Sequence, residues 1–109
     1  RIRAEGKIAC LLGAEGRHSI EGSLDKLATL AGRGVRYMTL THSNTNNWAD
    51  SSGDIGRDGI KHHGGLTEFG REVVREMNRL GIMCDVSHIS EKSFWDLLEI
   101  SRAPTGSSA

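Results

Sequence analysis

Residues 66–87 read LTEFGREVVREMNRLGIMCDVS, and this stretch contains the two patterns that decide the fold. Its first part carries apolar residues three or four positions apart, which is the spacing of an amphipathic helix. They are Leu66, Phe69, Val73, Met77 and Leu80. Thr67 is suited to begin this helix and Gly81 to end it. The run that follows, IMCDVS (82–87), lacks helical spacing and predicts a short buried strand.

The same pairing of helix and strand extends in both directions from this stretch. Upstream, KIACLLGA (7–14) is a nearly continuous apolar run, which predicts a strand buried on both faces. Leucines at helical spacing from Leu24 to Leu30 predict a helix that ends at Gly32 and Gly34, and VRYMTLT (35–41) predicts the next strand. Downstream, Ser90 and Glu91 begin a third helix, in which we expect Phe94, Leu97 and Leu98 to point inward.

This alternation predicts an α/β fold with a parallel sheet covered by helices, formed by residues 1–109 as a single partial domain. The segment from His42 to Leu66 interrupts the pattern with a polar stretch rich in Asn, Asp, Ser and Gly. Loops longer than about 15 residues are uncommon in compact domains and are often functional.

Composition excludes some classes of function and leaves the compartment open. The 109 residues carry a formal net charge of zero, which argues against a surface for nucleic acid or anionic membranes. No apolar run approaches the length of about 20 residues that spans a bilayer, and no signal segment opens the chain. The first residues, RIRAEGK, read instead like the end of a helix cut within the element. Cys10 and Cys84 are expected to be small buried residues, with a disulfide open to them only if their strands are neighbours.

A group that can bind a metal or move a proton follows each of the three predicted strands. These groups are Glu15, His42 and His88. Sites in parallel sheets form at the carboxyl ends of the strands, where the loops converge. Glutamate and histidine together are suitable ligands for zinc or a similar divalent ion, so the pattern favours a metal-assisted enzyme.

Other polar residues near these positions have more ordinary interpretations. Asp85 is open to three roles: metal ligand, group that orients a histidine, or cap of a turn. The pair His62–His63 is expected in a solvated loop, because adjacent residues of an extended segment diverge. His18 lies at the start of a helical segment. Taken singly, a glutamate after a strand often interacts with a helix N-terminus, and a histidine there is often an ordinary loop residue.

Four motifs resemble the renal, or membrane, dipeptidase family of zinc metallopeptidases. They are GAEGRHSI (13–20), GVRYMTLTHSNTNNWAD (34–50), GLTEFGREVVREMNRLGIMCDVSHIS (65–90) and SRAP (101–104). The resemblance implies a partial (β/α)8 barrel of about three βα units with parallel strands. It also implies the hydrolysis of dipeptides with two zinc ions at the carboxyl face of the barrel.

The resemblance assigns roles to the three residues that follow the strands. Glu15 matches the glutamate that bridges the two zinc ions, and His88 matches a histidine that ligates one of them. His42 matches a histidine that contacts the substrate and stabilises the tetrahedral intermediate. A metal-bound water or hydroxide is expected to attack the peptide carbonyl.

The chain also departs from the family pattern. The family's His-x-Asp pair does not precede Glu15, and its Ser-His-Ser motif does not follow SRAP, where this chain reads TGSSA. Only two of the family's five protein ligands are therefore expected here, and we expect the chain alone to be inactive. The alternative function is a non-catalytic assembly module that pairs with a second copy or a complementary fragment through exposed strand edges.

Overall fold

Four parallel strands form one sheet in the order β1-β2-β3-β4, and helices lie between consecutive strands. The structure is a computed structural model that describes residues 4–15, 24–41, 46, 48–54 and 64–107. The strands are β1 (Leu12–Glu15), β2 (Val35–Thr39), β3 (Met83–Asp85) and β4 (Thr105–Gly106). The helices are α1 (Leu24–Gly32), α2 (Glu68–Leu80) and α3 (Glu91–Ile100), and a short 3-10 turn spans Ser52–Asp54. The predicted α/β alternation is confirmed.

Helix α2 begins and ends where the sequence predicts. Thr67 is its N-cap, and its side-chain oxygen accepts a hydrogen bond from the Gly70 amide at 3.0 Å. Gly81 ends the helix in the left-handed conformation, with φ of 74°, which glycine adopts without steric cost. The predicted apolar face packs into the core, with Val73 and Met77 fully buried.

Helix α3 turns most of the expected face inward, because Phe94 packs against the core as predicted. Its N-cap is Ser90, as predicted, and Leu97 is fully buried. Leu98, however, is 40% exposed, so its predicted inward position is wrong. The buried stripe contains Ser93 and Asp96 beside Leu97, because neighbouring loops form hydrogen bonds to these polar side chains.

The loop that follows β2 contributes to the core. Trp48 is completely buried, and its ring meets Phe69 of α2 edge-on at a centroid distance of 6.2 Å. The Trp48 carbonyl accepts hydrogen bonds from the Thr67 amide at 2.7 Å and from the Thr67 hydroxyl at 3.1 Å. A Cβ atom at Gly70 would lie 2.1 Å from the same carbonyl oxygen, so glycine is required there for this close approach. The loop is thereby fixed against the start of α2.

Strand β1 departs most from its prediction. It begins only at Leu12, and Ile8, Leu11 and Leu12 are 89%, 60% and 56% exposed, so burial of residues 7–14 on both faces is wrong. The reason is its edge position: among the described residues, β2 is its only neighbour, and the pairing is irregular between Leu12 and Gly13. Cys10 is likewise exposed rather than buried.

Cys84 is buried, as predicted, and neither Cys10 nor Cys84 forms a disulfide. A disulfide required their strands to be neighbours, and β2 lies between β1 and β3. Burial raises the pKa of the Cys84 thiol to about 12, which keeps it protonated and unreactive. Among the described helices, none combines the length and the apolar character that crossing a bilayer requires.

Candidate metal site at the carboxyl edge of the sheet

The pairing register brings one residue from each strand into a single row at the carboxyl edge of the sheet. Glu15 pairs with Thr39, Thr39 with Asp85, and Asp85 with Gly106. Partners in adjacent parallel strands lie side by side, about 4.8 Å apart. The sequence prediction that the first and third strands deliver Glu15 and the segment of His88 to one edge therefore agrees with the backbone arrangement.

Asp85 is buried in the middle of this row, and both of its carboxylate oxygens accept hydrogen bonds. One carboxylate oxygen accepts from the Thr39 hydroxyl at 2.9 Å. The other accepts from the Ser87 amide at 2.9 Å and the Ser87 hydroxyl at 2.7 Å. An aspartate that bonds the backbone two residues later stabilises a turn. Of the three roles open to Asp85, these contacts favour the cap of the turn that leads to His88.

His88 has an unusual backbone conformation directly after that turn. Its φ is 65°, and it is the one residue other than glycine with a positive φ in the part of the chain that the structure describes. This left-handed conformation costs a residue with a Cβ atom about 1–2 kcal/mol. It persists when the surrounding contacts over-determine it, and such residues cluster at functional sites.

The contacts that hold His88 come from the loop after β2. Its carbonyl oxygen accepts hydrogen bonds from the Thr41 hydroxyl at 3.1 Å and the Ser51 hydroxyl at 2.9 Å. The Ser52 amide donates to the same oxygen at 2.9 Å, and the Ser52 hydroxyl lies at 3.2 Å. Thr41 and Ser51 are buried, whereas the His88 residue is half-buried. The segments after β2 and after β3 are thus joined at the backbone of His88.

Several predicted residues lie wholly or partly outside the described residues. His42 is outside them, although its neighbour Thr41 is described and buried. The backbone of Glu15 is described and its side chain is not. His18, His62 and His63 also lie outside the described residues.

The donor types at this edge fit zinc, but their number does not complete a site. Carboxylate and imidazole are both zinc ligands, and a catalytic zinc usually has three ligands from the protein. Within the described ranges, no group of three or more His, Cys, Asp or Glu side chains is arranged to hold a metal ion. The roles of Glu15 and His88 as zinc ligands therefore stay a prediction, and two ligands fall short of the usual three.

Sequence reasoning missed two buried aspartates, Asp50 and Asp96, which we call the anchoring aspartates. Asp50 accepts a hydrogen bond from the Gly65 amide at 2.9 Å, and Asp96 accepts one from the Leu66 amide at 3.1 Å. The Asp50 carbonyl also accepts from the Ser90 amide at 2.9 Å. The available signal was a charged residue, Asp96, one position before the inward-facing Leu97 of α3. These contacts fix the loop before α2 and the loop before α3 to the segment that holds His88.

The charge on Asp96 is stabilised by its neighbours. Burial raises the pKa of its carboxyl, but the hydrogen bonds from Lys92 and from the Leu66 amide lower it, as do the positive charges of Lys92 and Arg71. The nearest Arg71 nitrogen lies 3.8 Å from the carboxylate. The net result is a pKa below the usual range, so Asp96 is ionised at neutral pH.

Comparisons with known proteins agree on one family. The family model described as membrane dipeptidase (peptidase family M19) matches residues 1–109. Dipeptidase 3 of Macaca fascicularis is 44% identical over 103 residues, which are 94% of this chain and 21% of that protein. The chain thus spans about a fifth of the length of this curated relative.

Two solved structures give the same result for the fold. The probable dipeptidase PvdM from Pseudomonas aeruginosa superposes with a TM-score of 0.81 at 33% identity, over 99% of this chain and 28% of that one. A metallo peptidase from Rhodobacter sphaeroides, liganded with a phosphinate mimic of the dipeptide L-Ala-D-Ala, gives 0.78 at 31% identity, over 96% and 30%. The matching enzymes have TIM-barrel folds, which confirms the predicted partial (β/α)8 barrel.

Proposed function

Because the chain belongs to the membrane dipeptidase family, peptidase family M19, we propose that it forms part of the active site of a zinc-dependent dipeptide hydrolase. The observation that carries this proposal is the register of the sheet. It aligns Glu15, Thr39 and Asp85 at one carboxyl edge, and the segment of His88 follows directly. A dipeptide is the proposed substrate, in keeping with the dipeptide mimic bound by the Rhodobacter sphaeroides relative.

We assign a separate task to each of the three predicted residues. Glu15 would hold the zinc ions through its carboxylate, and His88 would hold one of them through its imidazole. His42 donates a hydrogen bond to the oxygen on which negative charge develops when the peptide carbonyl is attacked. Bound zinc supplies Lewis acidity and lowers the pKa of the attacking water. Thr41 supports the assignment of His42, because this buried neighbour is tied to the backbone of His88.

We further propose that these 109 residues do not hydrolyse dipeptides by themselves. Glu15 and His88 provide two zinc ligands, fewer than the three that a catalytic zinc usually has. The sequence contains no histidine before His18, so the family's His-x-Asp ligand pair is not supplied ahead of Glu15. Catalysis by this site therefore requires ligands from other protein segments.

The purified chain, supplied with Zn²⁺, should show no hydrolysis of L-Ala-D-Ala above the buffer rate. Glu15→Gln and His88→Gln should each weaken Zn²⁺ binding at least about tenfold, since even the outer partners of metal ligands contribute about 10–100-fold. Glu99→Gln is the matched control, because Glu99 is an exposed carboxylate in the last turn of α3, at the helix end opposite to the loop that follows β3, and this variant should bind zinc like the parent. Chelator-sensitive turnover that survives Glu15→Gln would contradict both the role of Glu15 and the inactivity of the chain.

A second candidate function is assembly through the free side of β1. Ile8, Leu11 and Leu12 are exposed beside a strand that pairs only with β2 among the described residues. Exposed strand edges are templates for pairing with another chain. The partner is either a complementary barrel segment or a second copy of this chain.

Sedimentation velocity over a range of concentrations tests the second copy directly. We expect concentration-dependent association of the chain, which Leu11→Lys should reduce by placing a charge beside the edge. Leu98→Lys is the matched control, since Leu98 is exposed on α3 and far from β1 in the sequence of elements. A parent chain that stays monomeric at every concentration argues against self-assembly.

A further inference from the structure

The carbonyl oxygen of His88 is a meeting point for donors from a separate loop. The hydroxyls of Thr41 and Ser51 and the amide of Ser52 all donate to it. On the other side of His88, the Asp85 carboxylate holds the Ser87 amide and hydroxyl and so fixes the preceding turn. The backbone of His88 is therefore held from both sides while it adopts a φ of 65°.

We propose that Thr41 and Ser51 are positioning residues, which keep His88 in its left-handed conformation so that its imidazole faces the metal site. This inference rests on the proposed role of His88 as a zinc ligand and adds residues that hold it. An imidazole moves with its Cα–Cβ bond, and a change from positive to negative φ redirects that bond. The two hydroxyls thus determine where the ligand nitrogen lies without touching the metal.

Thr41 also connects the two histidines of the proposed site. It directly precedes His42 in the sequence, and its side chain bonds to the backbone of His88 at 3.1 Å. This hydrogen bond therefore adds to the pairing of β2 with β3 and holds the end of the segment that precedes His42 against the backbone of His88. Ser51 joins the same two segments a second time, because its hydroxyl donates to the His88 carbonyl and its backbone forms an isolated antiparallel bridge with Ile89.

A purely structural role predicts a different outcome from positioning. If Thr41→Val acts only through a general loss of stability, the loss of another buried hydroxyl in this region should change the His88 signals by a similar amount. Ser93 is the matched control, because its buried hydroxyl donates at 3.2 Å to the Asp50 carbonyl and not to His88. Thr41→Val removes the donor and keeps the shape, whereas Thr41→Ser keeps the donor.

The test is NMR spectroscopy of the isotope-labelled chain, first without metal and then during a titration with Zn²⁺. A strong NOE between the amide proton of His88 and its own Hα marks the left-handed conformation, in which the two protons are close. The imidazole signals of His88, assigned with His88→Gln, report zinc binding at that residue. We expect Thr41→Val to weaken the NOE and to lower the zinc affinity at His88 about tenfold, as outer partners of metal ligands do.

In Thr41→Ser, the NOE of His88 and the zinc affinity at His88 should return to within about twofold of the parent. Ser93→Ala should leave the NOE and the zinc affinity unchanged. An unchanged NOE and zinc response in Thr41→Val would overturn the positioning role, as would an equal change in Ser93→Ala. If the His88 signals of the parent do not respond to Zn²⁺, the proposed ligand role fails instead. The NOE of the Thr41 variants then decides alone whether Thr41 holds the conformation of His88.

Discussion

Gly65→Ala should lower the free energy of unfolding by about 3 kcal/mol or more, because two steric demands coincide at this position. A Cβ atom there would lie 2.1 Å from the Asp96 carboxylate and 2.9 Å from Cγ of Lys92. The backbone φ is +117°, a conformation that residues with a Cβ rarely adopt. Relief by movement of Gly65 would also break its amide bond to Asp50.

The neighbouring Gly64→Ala variant is the control for this prediction. Gly64 also has a positive φ, of +73°, but a Cβ atom there meets nothing within 4 Å. Its cost should be the left-handed conformation alone, about 1–2 kcal/mol. Urea denaturation followed by circular dichroism measures both variants. Equal losses at the two positions would show that the contact with the anchoring aspartates adds nothing.

Asp96→Asn should lower the free energy of unfolding by about 2 kcal/mol at pH 7, which is within the range found for hydrogen bonds that involve a charged group. The variant removes the negative charge that Lys92 and Arg71 approach and that accepts from the Leu66 amide. Arg71 is partly exposed and Lys92 is mostly exposed, so water still solvates both positive charges when the Asp96 charge is removed. The loss of stability therefore stays below that caused by breaking a fully buried ion pair.

The pH dependence of the Asp96 effect has a definite sign. The pKa of Asp96 is lower in the folded chain than the ordinary value of about 3.9 expected when unfolded. Its contribution is therefore complete above that ordinary value and disappears as the pH falls through the folded pKa. Urea melts at a series of pH values should show a constant difference between the parent and Asp96→Asn at neutral pH, which narrows below about pH 4.

Glu76→Gln provides the comparison for Asp96. The hydrogen bond and charge of Arg79 also lower the pKa of Glu76, but this pair lies on the solvent-facing side of α2. Exposed ion pairs contribute little to stability because water and salt screen them. We expect no measurable change in the urea midpoint for Glu76→Gln. A loss as large as that of Asp96→Asn would mean that burial does not set the difference.

Local patterns predict the helices of this fold well. The caps of α2 and α3 are visible as Thr67, Gly81 and Ser90, because capping depends on residues within one helical turn. The exposure of residues 8–12 was not predictable in the same way. An apolar run indicates a buried strand only when neighbouring strands and helices cover it, and those neighbours are not specified by the run itself.

In the candidate site, too, some features could be predicted from the local sequence and others depend on distant residues. That Glu15 and His88 lie near the carboxyl ends of strands can be read from the sequence, although Glu15 proves to be the last residue of β1 and does not follow it. Parallel pairing then brings both segments to one edge. The left-handed backbone of His88 could not be predicted, since it depends on hydroxyls 37 and 47 residues away in the chain. The buried position of Asp96 depends likewise on the amide of Leu66, 30 residues away.

The paired hydrogen bonds between Asp50 and Gly65 have a consequence for how this architecture can change. The Asp50 amide donates to the Gly65 carbonyl, the Gly65 amide returns a bond to the Asp50 side chain, and Ala49 bridges Leu66 beside them. These hydrogen bonds thus hold the two ends of the intervening segment next to each other. Since the entropy of closing a loop grows only slowly with its length, residues 55–63 can be exchanged for a shorter or longer stretch, provided that Ser51 and Ser52 are kept, because both donate to the His88 carbonyl. The chain can therefore vary in length at this position without loss of the contacts that hold His88.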